Sequence, residues 1–452
     1  GVKVCAVAGT SVGALNGALI CMDSVENAQK IWAEMKFSRV MDVDDEWMQH
    51  LFSKDGKIKE VADCIMQAGD AKEINADGKA VMPGFIDLHV HLREPGFEYK
   101  ETVETGAKAA ARGGVTSICP MPNTKPVIDS AESVKDLLKR AENAPVHILP
   151  IGACTVGQEG KELADIEGMK EAGIVALSED GKSVMDSSLF RKSLKEAARL
   201  NLPMFSHCED KALVEGGVMN AGKKAEELGL PGITNSVEDV IVARDIIMSK
   251  EAGNRLHLCH CSTADSVVLV EMAKKQGLSV SAEVCPHHFT MSDDEITEDN
   301  GRFKMNPPLR SRADVDALKE GLKNGIMEVI STDHAPHGEE EKNQTMLKAP
   351  FGIVGLETSF ALGYTELVDK GVLTLSQLVE KMSVNPAKVL GIDKGNLAQG
   401  KAADIVIADI TEEYEIDSKK FVSKGKNTPF DGKKVKGRVI TTIVDGKIVY
   451  HE

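Results

Sequence analysis

The sequence is short of positive charge. It carries 54 Lys and Arg against 70 Asp and Glu, a formal net charge of −16 at pH 7. That balance argues against nucleic acid or an anionic membrane surface as a partner. No C-x-x-C pair occurs among the nine cysteines, so the thiols read as reduced and the setting as cytoplasmic. A basic n-region is also missing from the uncharged stretch Val4 to Met22, where Lys3 stands alone. With its glycines, Thr10, Ser11 and Asn16, that stretch is neither a signal peptide nor a membrane span. Finally, no G-x-G-x-x-G follows the first strand-like run, which removes the usual dinucleotide fingerprint of a doubly wound open sheet.

What is present is a repeated alternation. Short apolar runs at 82–91, 115–122, 146–153, 173–179, 202–208, 255–261, 279–288 and 327–334 are separated by Ala/Lys/Glu-rich helical stretches. Buried strands each followed by a helix indicate a parallel sheet. Eight units in roughly 250 residues predict an α/β fold, a (β/α)8 TIM-type barrel. The flanks differ. They carry short β segments with Asp-Gly turns at 55–56, 77–78 and 445–446, and VITTIV-DG-KIVY reads as a hairpin. A small β domain built from both flanks of the barrel is expected, over 53–83 and 395–452, with the barrel at 84–394.

Chemistry gathers where the predicted strands end. In DLHVHLR, His89, His91 and Arg93 are spaced two apart and point to one face of a strand. His207 ends LPMFSHC, His260 lies in LHLCHC, Asp333 in STDH, and LSEDG offers Glu179 or Asp180 as a bridging carboxylate. Barrel enzymes keep their active sites at these ends. Four histidines and two carboxylates suffice for two divalent ions of the zinc type. Two ions about 3.5–4 Å apart would lower the pKa of a shared water toward neutrality and polarise a carbonyl. Asp333 is then the carboxylate placed to move the proton to a leaving nitrogen.

By strand parity His257 falls on the face opposite His260, as a packed core residue, and Cys259 and Cys261 point outward. His287 and His288, at the end of the seventh run, read as supporting residues, and His334 turns away from Asp333. Arg93 is a fork for a carboxylate, and Asn123 and Asn306 sit in proline-stiffened loops. His337 precedes a polar, glycine-bounded stretch that reads equally as a lid or as a solvated loop.

Taken together, GFIDLHVHLREPG (84–96), PMPNTKP (120–126), LSEDG (177–181), HCED (207–210), LCHCST (258–263), PHH (286–288), KMNPPLR (304–310) and STDHAPH (331–337) closely resemble the dihydroorotase family. The match is to the long bacterial type within the amidohydrolase superfamily, and it runs from about residue 55 to the C terminus. It implies zinc-dependent interconversion of L-dihydroorotate and N-carbamoyl-L-aspartate in pyrimidine (UMP) synthesis. It implies two zinc ions on His89, His91, Asp180, His207, His260 and Asp333, choosing Asp180 over Glu179 as the bridge. Family members usually carry Asp where this chain has Glu179. Substrate contacts fall to Arg93, Asn123, Asn306 and His337, with the backbone of Phe351 and Gly352. Hydantoinases and allantoinases share the barrel and metals, but bridge the ions with a carboxylated lysine and lack the Arg93 and Asn123 pair. A non-catalytic relative that binds aspartate transcarbamoylase would have lost metal ligands, and this chain keeps them. The partners left open are a small-molecule substrate, a second copy as a homodimer, and aspartate transcarbamoylase.

Residues 1–52 stand apart. GTSVG (9–13) within GVKVCAVAGTSVGALNGALI has the nucleophile-elbow pattern around Ser11 and resembles a patatin-like phospholipase fragment. The glycine-rich oxyanion loop and downstream dyad aspartate of such enzymes are not found with it, and a serine without them loses most of its power. The change of resemblance places a junction near residues 50–54. Deleting residues 1–50 is expected to leave dihydroorotase activity largely intact; loss of zinc binding on deletion would refute that.

Overall fold

Apolar six-residue runs such as FIDLHV and VTSICP are buried along their whole length, as strands covered on both faces must be. The structure is a computed structural model that describes residues 56–59, 61, 74–76 and 78–452. Ser11, the junction near 50–54, Asp55 and Asp77 lie outside the described residues. After β1 (Ala80–Pro83) come the barrel strands β2 (Phe85–Val90), β3 (Val115–Pro120), β4 (His147–Ile148), β5 (Ile151–Ala153), β6 (Ala176–Ser178) and β7 (Met204–Ser206). The pair β8 (Met219–Asn220) and β9 (Gly232–Ile233) stands outside the barrel ladder, which continues with β10 (Leu256–Leu258), β11 (Val280–Val284) and β12 (Val329–Ile330). All barrel pairings are parallel.

β4 and β5 are one barrel strand interrupted at Leu149 and Pro150. Proline has no N–H to donate, yet the Pro150 carbonyl still accepts from Val175 N and Leu149 N still donates to Ile118 O, both at 2.9 Å. With that strand counted once the barrel has eight. It closes at a single parallel bridge between Val90 and His334, where His91 N donates to His334 O at 2.8 Å.

The helices that cover the strands are specified locally. Helix Val103–Arg112 starts at Thr102, whose side chain accepts from Thr105 N in a reciprocal capping box, with Glu104 in the first turn and Arg112 in the last. Its buried face is mostly alanine, which lets it lie close on the sheet. Ser130 and Ser311 cap later barrel helices in the same way, and Thr263 caps another by accepting from Ser266 N. Among the described residues, no helix is long and apolar enough to cross a membrane.

β1 joins β13 (Ile405–Asp409), β16 (Arg438–Val444) and β17 (Lys447–His451) in an antiparallel sheet, so both flanks of the barrel feed one β unit. β14 (Tyr414–Glu415) and β15 (Lys434–Val435) form a separate short pair. The β16–β17 hairpin turns at Asp445 and Gly446, with φ of +45° and +75°. Positive φ at both residues is what a two-residue turn of this hand requires.

The β8–β9 pair is tied to the barrel by a buried guanidinium. Arg310 Nε donates to Ser262 Oγ at 3.0 Å, and Nη1 donates to Asn220 Oδ1 at 3.1 Å and to Ile233 O at 3.0 Å. Its Nη2 is 3.8 Å from Glu238 Oε2, and both residues are 3% exposed or less. Arg310→Met leaves the Glu238 charge buried without its counterion. Urea unfolding should show a loss of about 3–5 kcal/mol.

Candidate metal centre

Six side chains from five strand ends converge at the mouth of the barrel. His89 Nε2 is 3.2 Å from Asp180 Oδ1 and 3.6 Å from Asp333 Oδ1. His91 Nε2 is 3.1 Å from Asp333 Oδ1 and 3.5 Å from Asp180 Oδ2. His207 Nδ1 lies 3.4 Å from Asp180 Oδ1 and 2.8 Å from His260 Nε2. All six are buried. Two overlapping groups can each hold a cation: His89, His91 and Asp333, and His89, Asp180 and His260. Within each, the ligand atoms are within 4.8 Å of one another.

Backbone geometry aims these groups. His260 and Asp333 have φ of +34° and +48°, and Arg93 has +62°. Such values are uncommon outside glycine and cluster at functional sites. At His260 the twist also breaks strand parity, which β10 obeys only to Leu258. The expectation for the neighbours is corrected accordingly. His257 is a packed core residue, but it is not on a face remote from the site: its Nε2 is 3.0 Å from Glu283 Oε2. Cys259 does not point outward; it lies with His89 and Glu283 in one buried group. His287 and His288 belong to a short helix, Pro286–Thr290, rather than to β11. His334 turns away from the centre, with Nε2 at 3.4 Å from Glu101 Oε2.

The charges are strongly coupled. Burial alone would raise the Asp180 carboxyl, but the His89, His207 and His91 rings hold it well below the usual range. Burial opposes a charge on His89 too, and Asp180 nonetheless pushes that ring well above its ordinary value. His207 is raised to about 10 against burial, by Asp180 and Glu209. His260 is pushed down to about 3, by burial first and then by His207 and His89. Four atoms in this cluster, His89 Nε2, Asp180 Oδ1, His207 Nε2 and His260 Nδ1, are buried without a hydrogen-bond partner. His89 Nε2 and Asp180 Oδ1 lie 3.2 Å apart, both buried and without a hydrogen-bond partner, and a cation between such groups would satisfy them, so the residues fit a metal.

Sequence reasoning missed Glu283. It is fully buried, its Oε1 accepts from His89 Nδ1 at 2.9 Å, and it also accepts from His260 N at 3.2 Å. A lone acid in the apolar run SAEVC was the available signal. By accepting from Nδ1 it leaves Nε2 as the ring atom that faces Asp180 and that a metal ion would take. Asn123 likewise touches the centre, with Oδ1 at 2.9 Å from His91 Nδ1 and Nδ2 donating to Asp180 Oδ2 at 3.2 Å. Glu179 turns aside to accept from Cys154 N at 3.1 Å and Thr155 N at 3.2 Å.

Above the centre is a cleft of roughly 250 Å³ lined by Arg93, Asn123, Glu209, Asn306, Phe351 and Gly352 beside the histidines. Arg93 Nε donates to Pro336 O at 3.2 Å, and Asn306 Nδ2 donates to Glu209. His337 Nε2 donates to Phe351 O at 2.7 Å while its Nδ1 accepts from Lys100 Nζ at 3.1 Å. That ring is neutral, held down to about 2 by burial and by Arg93, Lys100 and Lys342.

A family profile described as Dihydro-orotase-like matches residues 78–266. The dihydroorotase of Bacillus cytotoxicus is 49% identical over 403 residues, covering 89% of this chain and 94% of the relative. A Bacillus cereus dihydroorotase matches at the same identity and coverage. The chain belongs to the dihydroorotase family. Solved structures with this fold include the L-hydantoinase (dihydropyrimidinase) of Arthrobacter aurescens, with TM-score 0.79 and 29% identity over 88% of this chain and 91% of that one. Dihydropyrimidinase from Brevibacillus agri has TM-score 0.77 and 25% identity, covering 93% of each chain. These are TIM-barrel amidohydrolases, and this dihydroorotase-family barrel has their fold and a metal cofactor site. Lys182, two residues past Asp180, is exposed to solvent.

Glu283→Gln removes the charge behind His89. Metal affinity, measured by competition with a chelator, should fall about 10–100-fold while the fold is kept.

Proposed function

We propose that the barrel mouth hydrolyses the ring amide of L-dihydroorotate to N-carbamoyl-L-aspartate, and reverses that step, with two zinc ions. Membership of the dihydroorotase family makes the protein a hydrolase of cyclic amide C–N bonds acting on a small molecule. The observation that carries the finer reading is a pair of overlapping ligand groups sharing His89, with Asp180 within 4 Å of His89, His91, His207 and His260. His89, His91, His207, His260, Asp180 and Asp333 hold the ions in this reading. Zinc bound there supplies Lewis acidity toward the amide carbonyl and toward water.

The remaining work belongs to side chains. Asp333 faces the cleft and takes the proton of the attacking water, then delivers it to the ring nitrogen as the C–N bond breaks. Arg93, its Nε already spent on Pro336 O, offers the other face of its fork to the substrate carboxylate. Asn306 gives its amide hydrogen to Glu209, which leaves its carbonyl oxygen for a ring N–H. Asn123 holds His91 and Asp180 in register, and Phe351 and Gly352 close one wall. A cytoplasmic setting belongs to the same reading, supported by six buried free thiols among the described residues.

Purified enzyme should contain zinc and consume dihydroorotate, followed by its ultraviolet absorbance. Asp333→Asn should cut kcat by about a hundred- to ten-thousandfold. Arg93→Gln should instead raise KM about ten- to a hundredfold, the worth of a charged hydrogen bond. Turnover of hydantoins or dihydropyrimidines without dihydroorotate would overturn the assignment in favour of the structural neighbours' chemistry.

A further inference from the structure

The segment after His337 was legible in the sequence only as a polar, charged stretch. One of its charges is not at the surface. Lys342, at the end of the short helix Glu339–Lys342, is 3% exposed. Its Nζ donates to three main-chain carbonyls: Lys304 O at 2.9 Å, Pro350 O at 2.9 Å and Gly352 O at 2.8 Å. An ammonium has three N–H groups, and all three are used.

Those carbonyls come from two loops that form one side of the cleft. Lys304 lies two residues before Asn306, and Pro350 and Gly352 flank Phe351. The loops also meet directly, with Gly352 N donating to Lys304 O at 3.0 Å. Gly352 has φ of +129°, and a Cβ there would fall 2.7 Å from Ala335 Cβ and 3.1 Å from His337 Nε2. The wall therefore has little room to shift without disturbing His337. Carbonyls cannot pair with one another; Gly352 O also accepts from Asn427 Nδ2 at 3.1 Å, and the Lys342 ammonium is the donor that all three share.

We propose that Lys342 is a positioning residue for this reaction: its ammonium staples the Asn306 loop to the Phe351–Gly352 loop and so holds the substrate-facing wall closed. The proposal rests on the reading of Asn306, Phe351 and Gly352 as substrate contacts. Lys342 touches no reacting atom and acts only through the loops it joins. It also gives the wall a pH dependence. Burial, and then the neighbouring Lys304, depress its ammonium to about 7, while Glu341 opposes them; the neutral His337 ring also faces its charge. Below that pH the three-hydrogen ammonium satisfies all three carbonyls. Above it, the amine has one hydrogen too few, and the staple weakens.

Lys342→Met keeps the stem and removes the donors. The KM for dihydroorotate should rise about tenfold or more, with a smaller change in kcat, as expected for lost hydrogen bonds from a charged group. Hydrogen exchange at the Gly352 amide should quicken while the barrel strands keep their protection. Ethylammonium added to Lys342→Ala should restore part of both. The KM ratio of Lys342→Met to wild type should fall toward one as pH rises through about 7. Unchanged protection of Gly352 in Lys342→Met, or lost protection with unchanged KM, overturns the proposal. If wild-type protein fails to turn over dihydroorotate, the functional reading falls instead, and the Gly352 exchange still decides whether the staple exists.

Discussion

Closure of the barrel at Val90 and His334 is the contact on which the site depends. The chain is 243 residues long between His91 and His334, and one parallel bridge with one 2.8 Å hydrogen bond sets their strand ends side by side. His89, His91 and Asp333 become neighbours through that closure, which hydrogen bonds from Leu88 N to Ser331 Oγ at 3.3 Å and from Thr332 N to Asp87 Oδ1 at 3.1 Å also tie. A sheet left open at this seam would keep every helix cap and every apolar run, and would still separate the first ligands from the last. The strands between, from β3 round to β11, then bring Asn123, Asp180, His207 and His260 to the same rim.

Bringing these groups together in a buried place is costly unless something answers their charge. Part of the answer is internal. Asp180 stands among four imidazoles, and Glu283 supports His89 from beneath while also accepting from the His260 backbone. The unpartnered ring and carboxylate atoms that remain are the part the protein does not satisfy by itself. Rigidity follows the same logic away from the centre. Arg310 and Lys342 are both buried cations used to gather main-chain carbonyls and polar side chains. Asn427, from the C-terminal flank, joins Lys342 at Gly352 by donating to the same carbonyl while accepting from His337 N.

Much of this was legible beforehand, and the reason is periodicity. Eight apolar runs in a βα rhythm imply a closed parallel sheet, and each ligand-type residue lies at or just beyond the end of its run. Where reading by parity failed, a backbone torsion was responsible. His257 and Cys259 share one strand face on the Glu283 side, and His260 at φ +34° steps out of the alternation to reach the centre with them. No pattern of apolar and polar residues reports a left-handed φ at histidine. Glu283 and Lys342 were missed for a different reason: an acid in a strand and a lysine in a polar loop look like solvated charges until burial is known.

The sequence by itself determined the strand and helix order, the caps at Thr102, Ser130, Thr263 and Ser311, the Asp445-Gly446 turn, and the residue types able to hold a metal. These are local properties, set by spacing and by the conformational preferences of a few neighbouring residues. Only the tertiary structure decided which acid supports His89, how His337 is held neutral between Lys100 and Phe351, and which lysine is buried against three carbonyls. Each of those depends on groups far apart in the chain meeting at a distance of about one hydrogen bond, and on the loss of water around them. Sequence spacing encodes neither.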